Sequence, residues 1–220
     1  NYIGAIKPAL QAQHNYQQSL YFIADYHSLI KLHDAALRRD YVLHNAATWL
    51  ALGLDPQKTI FYRQSKIAEI PELAWILSTV AAKGLLNRAH AYKDLVAKNL
   101  EAGDKDPDAG ITMGLFNYPV LMAADILIFK PHYVPVGKDQ IQHIEMARDM
   151  AASFNHLYGE HFVLPQAVVE ESVALLPGLD GRKMSKSYDN TIPLFAPSAQ
   201  MRKQINAIVT DSRAPGQAKS

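Results

Sequence analysis

A short loop near the end of the chain combines two lysines and two serines at close spacing. The segment 180–187 has the sequence Asp-Gly-Arg-Lys-Met-Ser-Lys-Ser, with lysines at Lys183 and Lys186 and serines at Ser185 and Ser187. A lysine ammonium is a flexible positive charge with three N–H donors, which suits phosphate oxygens. The hydroxyls and turn amides add neutral donors around the same anion. The spacing predicts a phosphate-binding loop; the alternative is a basic loop that is only solvated.

An aspartate lies inside an otherwise apolar helical pattern at residues 113–129. Tyr118, Met122 and Asp125 are spaced four and three residues apart, so a helix places them on one face. A buried carboxylate without a partner is costly, and we therefore expect Asp125 to accept hydrogen bonds. Two interpretations of those bonds stay open. One is a structural tie to backbone or to a neighbouring Lys, Arg or Tyr, and the other is a donor group on a ligand.

Apolar runs and helical periodicity predict the elements that position these residues. Compact apolar runs indicate strands at 20–24, 59–62 and 133–136. Helical patterns cover residues 2–13, 34–52, 71–80, 87–100, 113–129, 140–158 and 198–209, and residues 165–177 form an apolar connector. Asp34 and Gly53 provide start and stop signals for the second helix. The alternation of strands and helices predicts an α/β domain with a parallel sheet.

Polar residues follow two of these strands at the carboxyl end, where open α/β sheets place their ligands. His27 comes shortly after the first strand, as a ligand contact or, equally, as a hydrogen-bonded structural residue. The segment 137–140, Gly-Lys-Asp-Gln, joins the strand at 133–136 to a helix whose amino end is suited to an anion. The alternative is that Asp139 is only the N-cap of that helix.

The composition restricts the class of protein. The chain has 220 residues, 49% of them hydrophobic, which suffices for one large domain or one domain plus part of another. It has no cysteine, which excludes disulfides and thiolate chemistry and fits the reducing cytoplasm that we expect as its compartment. No apolar run approaches membrane-spanning length, so we expect no membrane partner.

The charge is unevenly distributed. The net charge of +1 combines +5 in residues 181–220 with −4 in the rest of the chain, which suggests an anionic partner such as a nucleotide or nucleic acid. A basic helix face without a partner is the alternative. The nine histidines are scattered and form no His-Glu-x-x-His pair, so we expect no protein metal site. The absence of a P-loop and of a Gly-x-Ser-x-Gly elbow disfavours P-loop NTPases and serine hydrolases of that fold.

Three stretches, in this order, resemble the catalytic domain of bacterial tryptophanyl-tRNA synthetases, which are class I aminoacyl-tRNA synthetases. They are Tyr-Pro-Val-Leu-Met-Ala-Ala-Asp-Ile-Leu at 118–127, Val-Pro-Val-Gly-Lys-Asp-Gln-Ile-Gln-His-Ile-Glu at 134–145 and Lys-Met-Ser-Lys-Ser at 183–187. The resemblance implies a Rossmann-like parallel sheet with flanking helices, followed by the start of an α-helical domain. We expect residues 1–192 to form the catalytic domain, without its first strand and loop, and residues 193–220 to begin the helical domain.

The resemblance also implies a function. L-Tryptophan would react with ATP to give tryptophanyl-adenylate and pyrophosphate, and the aminoacyl group would pass to tRNA(Trp). ATP would bring Mg²⁺ without a protein metal cage, and the protein would be a homodimer. Two alternatives are a tyrosyl-tRNA synthetase of the same fold and a non-catalytic, synthetase-like binding paralogue.

Site residues follow from the resemblance position by position. Tryptophan would be bound by a pocket in which Asp125 accepts the indole N–H, Gln140 and His27 lie near the head group, and the remaining members are Tyr118, Met122, Val134 and Val136. ATP would be bound by Asn1, Gly137, Lys138, Asp139, Val173, Lys183, Met184, Ser185, Lys186 and Ser187. The catalytic residues among them would be Lys183, Lys186, Ser185 and Ser187. The family often has glutamate at the position of Lys138, so that side chain cannot inherit a carboxylate's role.

Overall fold

The computed structural model describes residues 2, 6–169, 177–185 and 188–208 of the chain. The backbone forms two compact units. One comprises residues 5–170, and the other comprises residues 1–4 and 171–220. The domain boundary expected at residue 192 stays a prediction.

Four short strands in the larger unit form two parallel pairs. Strand β1 (Ser19–Ile23) pairs with β2 (Thr59–Arg63), and β3 (Tyr133–Pro135) pairs with β4 (Gln166–Val168). Helices connect the strands of each pair, as parallel pairing requires. The predicted α/β class, with parallel strands and flanking helices, is confirmed. The apolar connector expected at 165–177 is wrong for its first residues, because strand β4 lies there. The strand was missed because three residues are too few to show an alternating pattern.

Eight α-helices lie among the described residues: α1 Lys7–Ala12, α2 Ala35–Ala51, α3 Glu69–Ser78, α4 Lys83–Leu86, α5 His90–Ala102, α6 Met113–Leu127, α7 Ile141–Tyr158 and α8 Ser198–Asn206. Three 3₁₀ turns are at His27–Ile30, Gln64–Lys66 and Lys138–Gln140. The predicted cap of α2 is confirmed, since Asp34 accepts from the N–H groups of Ala36 and Leu37 at 2.8 and 2.9 Å. The single turn α4 was not predicted.

The core of the larger unit lies where α6 packs against α3 and α7. Its fully buried side chains include Ile70 and Leu77 of α3, Leu127 of α6, and Met150 of α7. Each such side chain contributes about 1.5–3 kcal/mol through removal from water. This packing fixes α6 from two sides, and α6 is the helix that carries Asp125.

Candidate active site

The carboxylate of Asp125 is the centre of a buried hydrogen-bonded group. Asp125 is 3% exposed. Nε2 of Gln64 lies 2.8 Å from both of its oxygens, and Nε2 of His27 lies 2.9 Å from Oδ2. His27 follows β1 and Gln64 follows β2, so the carboxyl ends of two parallel strands supply both donors. The structure therefore brings two strand ends and α6 together at one acceptor.

The hydrogen bonds expected at Asp125 are present, but their donors are not those considered from the sequence. The two open interpretations were a structural tie to backbone, Lys, Arg or Tyr and a donor group on a ligand; the described partners are a glutamine and a histidine. Gln64 was missed entirely, although its place directly after a predicted strand was a usable signal. His27 lies 2.9 Å from Asp125, and its expected place near the head group of an amino acid stays a prediction.

A second network holds the ends of β1 and β2 together beside this group. Asp25, buried after β1, accepts from the Ser65 N–H at 2.9 Å and from Ser65 Oγ at 2.6 Å, and forms an ion pair with Arg63, whose Nε lies 2.8 Å from Oδ2. Asp25 precedes His27 by two residues, and Arg63 and Ser65 flank Gln64. The network therefore fixes the backbone on either side of the two donors to Asp125.

Tyr118 lies between two histidines. Its hydroxyl is 2.6 Å from Nε2 of His143, and its ring meets the His27 ring edge to face at 6.3 Å between centroids. His143 of α7 is buried, and its Nδ1 has no hydrogen-bond partner among the described residues. Burial lowers the pKa of His143, nearby His90 lowers it further, and Asp139 opposes the shift. His143 is therefore held neutral, so the Tyr118 hydroxyl either donates to its Nε2 or accepts from it.

Two tyrosines at this end of the unit, Tyr118 and Tyr62, are kept neutral. Burial raises the pKa of Tyr118. Burial raises the pKa of Tyr62 as well, and the negative charge of Asp125 adds to that shift. Both hydroxyls are thus available as hydrogen-bond donors at neutral pH.

The remaining residues expected in the tryptophan pocket lie on α6, β3 and the following turn. Met122 is partly buried one turn before Asp125. Val134 and Val136 are partly buried and two residues apart, on the same face of the extended segment. Gln140 is partly buried and donates from Nε2 to Asp139 at 2.8 Å, not to Asp125. The structure brings together Tyr118, His27 and Asp125 most directly.

The turn before α7 has an exposed surface. Lys138 and Asp139 are both exposed, and a Cβ at Gly137 would lie 2.7 Å from Oδ1 of Asp139. The interpretation of Asp139 as the N-cap of α7 is wrong. The N-cap is Gln140, which makes no side-chain cap, and the Asp139 carboxylate instead accepts from the Gln140 amide. Asp139 therefore keeps acceptor capacity on the surface of this turn.

The lysine loop belongs to the smaller unit and is organised by an unpredicted residue. Asn190, 2% exposed, accepts from the Ser185 N–H at 2.7 Å and donates to the Lys183 carbonyl at 3.1 Å and to Asp180 at 2.7 Å. It thereby joins both ends of the loop. A Cβ at Gly178 would collide with the side-chain amide of Asn190, so any other residue there would displace Asn190. Lys183 is exposed.

The turn that opens this loop holds an ion pair. Arg182 donates to Asp180 from Nε at 2.7 Å and from its terminal nitrogen at 2.6 Å, and Gly181 adopts φ +77°. The hydrogen bond from Asn190, and then those from Arg182, lower the pKa of Asp180 to about 2. Asp180 and Gly181 thus form a turn, as the Asp-Gly sequence favours. Of the other expected site residues, Met184 is partly buried, and Lys186, Ser187, Val173 and Asn1 lie outside the described residues.

Neither a metal cage nor a membrane-spanning helix is found in the described part of the chain. No group of three or more His, Cys, Asp or Glu side chains there is placed to hold a metal ion. No helix there is long and apolar enough to cross a bilayer.

The Lys-Met-Ser-Lys-Ser segment at 183–187 and the parallel α/β fold both agree with the resemblance to class I aminoacyl-tRNA synthetases. A family model described as "tRNA synthetases class I (W and Y)" matches residues 2–219. The chain belongs to this family of class I synthetases for tryptophan and tyrosine.

Within this family, the chain is highly similar to individual tryptophan–tRNA ligases. The chain is 65% identical over its whole length to the tryptophan–tRNA ligase of Pseudomonas aeruginosa and 64% identical to that of Xanthomonas axonopodis pv. citri. It covers 50% and 51% of those proteins, so it spans about half the length of these curated relatives. The predicted resemblance to bacterial tryptophanyl-tRNA synthetases is confirmed.

Solved structures support the same similarity to tryptophanyl-tRNA synthetases. The tryptophanyl-tRNA synthetase of Campylobacter jejuni complexed with ADP and tryptophan superposes with a TM-score of 0.87 at 51% identity, over 97% of this chain and 64% of that one. A tyrosyl-tRNA synthetase of Archaeoglobus fulgidus complexed with L-tyrosine gives a TM-score of 0.69 at 18% identity, over 94% of this chain and 60% of that one. That second likeness concerns the fold alone.

Proposed function

We propose that this chain is the catalytic part of a tryptophan–tRNA ligase, which activates L-tryptophan with ATP and transfers it to tRNA(Trp). The observation that carries the proposal is the buried carboxylate of Asp125, oriented by His27 and Gln64. Indole N–H is a donor without acceptor capacity, so a carboxylate is its matching partner. The 65% identity to the tryptophan–tRNA ligase of Pseudomonas aeruginosa supports the same assignment.

The amino-acid pocket would combine this acceptor with apolar walls. Met122, Val134 and Val136 would contact the indole ring, and Tyr118 and Gln140 would lie near the head group. The neutral Tyr118 hydroxyl, held by His143, supports this role, because a phenol can accept from an ammonium group. His27 would act at the indole end through Asp125.

ATP would be bound by the turn before α7 and by the lysine loop. Gly137, Lys138 and Asp139 would hold the ribose, and the exposed Asp139 carboxylate is a suitable acceptor for its hydroxyls. Asn1 and Val173 would contact ATP elsewhere, and residues 183–187 would hold the phosphates. The exposure of Lys183 and the firm closure of its loop by Asn190 support this role.

Activation needs no side-chain base. The attacking tryptophan carboxylate is already ionised at neutral pH. The remaining requirements are alignment with the α-phosphate and stabilisation of charge on the departing pyrophosphate. The charge on the departing pyrophosphate would be stabilised by Lys183 and Lys186, with Ser185 and Ser187. This explains why no catalytic triad or carboxylate pair is required.

The described residues do not offer a set of ligands for Mg²⁺. We propose that Mg²⁺ enters with ATP as part of the co-substrate, since this ion commonly keeps phosphate and water oxygens as its ligands.

We further propose a cytoplasmic homodimer. Trp75 on α3 is 74% exposed, and Pro71, one turn before it, is also exposed. The neighbouring Ile76 is exposed as well, and aromatic side chains are common anchors of protein interfaces. Trp75→Asp should lower the mass measured by light scattering to that of a monomer.

The absence of cysteine supports a reducing compartment. Residues 193–220, which include α8, would begin the helical domain.

Tryptophan-dependent exchange of pyrophosphate into ATP tests the function. The full-length protein is assayed with tryptophan, tyrosine and phenylalanine. Stimulation by tryptophan is expected. Preference for tyrosine would favour the tyrosyl alternative, and tryptophan binding without any exchange would favour a binding paralogue.

A further inference from the structure

We propose that Gln64 is a positioning residue that holds the carboxylate of Asp125 in the orientation in which it accepts the N–H of the substrate. This inference rests on the function proposed above and extends it to a residue that contacts the acceptor and not the ligand. Gln64 is fully buried in the 3₁₀ turn after β2.

The orientation of the Gln64 amide is fixed by the backbone. Its Oε1 accepts the N–H of Tyr26 at 3.0 Å. A backbone N–H can only donate, so the amide oxygen must face Tyr26 and the NH₂ group must face Asp125. Gln64 is therefore an obligate donor to Asp125, and Asp125 an obligate acceptor.

The two oxygens of Asp125 are not equivalent. Oδ2 receives two described donors, Gln64 and His27, whereas Oδ1 receives one, from Gln64. Each carboxylate oxygen has about two lone-pair sites. Among the described contacts, the spare acceptor site is thus on Oδ1. A donor-only ligand group such as an indole N–H would bind there, and Gln64 holds the carboxylate in the plane that presents it.

Gln64→Met tests this role, because it keeps the side-chain length and removes the donor. The KM for tryptophan should rise because the carboxylate is no longer held in place, by at most the roughly 10- to 100-fold that one hydrogen bond to a charged group contributes. The ratio of kcat/KM for tryptophan over phenylalanine should fall, while the KM for ATP should stay within about twofold.

Gln13→Met is a matched control. Gln13 is also a buried glutamine with two backbone hydrogen bonds, to Gly53 and Asp55, which precede β2. It should lower the melting temperature without changing the preference for tryptophan. Equal effects of the two substitutions on that preference would overturn the proposal.

Gln64→Glu is a second test of the same role, for the case in which the Gln64→Met variant does not fold. Its carboxyl group can still accept from Tyr26 but meets Asp125 as a like charge, so the pair should share one proton. The titratable and charged groups around it are His27, Tyr62, Asp25 and Arg63. The tryptophan KM of this variant should rise with pH more steeply than that of the wild type, as the shared proton leaves.

Failure of the two proposals can be told apart. A wild-type protein without tryptophan-dependent exchange would contradict the proposed function. A wild type that exchanges, together with Gln64 variants that keep wild-type KM, selectivity and pH profile, would contradict only the role of Gln64.

Discussion

The hydroxyl of Tyr118 and Nε2 of His143 are 2.6 Å apart, and this contact joins α6 to α7 at the edge of the proposed amino-acid pocket. The partner of this hydroxyl is a histidine whose pKa is lowered by burial. The contact therefore makes stability depend on pH.

Acidification should destabilise the protein through His143. The folded-state pKa lies below the unfolded value of about 6.5, so the unfolded chain takes up the proton first. The stabilising contribution is complete above about pH 6.5 and is lost as the pH falls through the folded pKa. His143→Gln should reduce the loss of unfolding free energy between pH 7.5 and pH 5, measured in urea. The exposed His156 of the same helix, changed to Gln, should not reduce it.

Asp125→Ala should raise the KM for tryptophan strongly and collapse the selectivity against phenylalanine. Phenylalanine brings no donor and would leave the carboxylate unpaired, and sites of this kind discriminate by roughly 10⁴–10⁵. Selectivity against tyrosine should change less, because tyrosine does bring a donor and must be rejected by shape. Exchange assays with the three amino acids measure this. A folded variant that still prefers tryptophan over phenylalanine would show that Asp125 is purely structural.

Lys186→Ala should lower the rate of activation by about 10²–10³, the usual effect of losing one transition-state donor. Tryptophan affinity, measured by calorimetry, should change far less. Lys203→Ala, at an exposed position of α8, is the matched control and should leave the rate unchanged. Parallel losses of rate and affinity at Lys186 would indicate a structural loop.

Asn190→Ala should open the lysine loop. It removes the bonds that join Ser185, Lys183 and Asp180. Limited trypsin digestion should then cut faster after Arg182 and Lys183. Asn206→Ala, at an exposed site of the same unit, should not accelerate cleavage there. Unchanged digestion in the Asn190 variant would contradict this organising role.

Acid should loosen the wild-type lysine loop only at very low pH. The pKa of Asp180 is lowered to about 2, so its contribution is present above the ordinary range near 4 and is lost as the pH falls through about 2. Trypsin is inactive at such pH values, so pepsin digestion between pH 4 and pH 2 is the suitable measurement. Increased cleavage within 178–190 is expected only toward the lower end of that range. Cleavage that rises fully at pH 4 would contradict it.

Local patterns were sufficient to predict most elements but not the partners of Asp125. The α2 cap at Asp34 and the parallel α/β class could be predicted because each depends on neighbouring residues or on the order of elements. Gln64 and His27 are 61 and 98 residues from Asp125 in sequence. Their convergence depends on how β1 and β2 pair and on how α6 packs, which no local spacing records. Asn190 was missed because its role depends on the closed shape of the loop.

The tie between Asp25, Arg63 and Ser65 has a consequence for the thermodynamics of recognition. Because it fixes the strand ends that carry His27 and Gln64, the acceptor at Asp125 is preorganised. An arriving donor need not order these side chains, so little conformational entropy is lost at this end of the pocket. Affinity there would depend on the quality of one hydrogen bond and the shape around it, and not on induced fit.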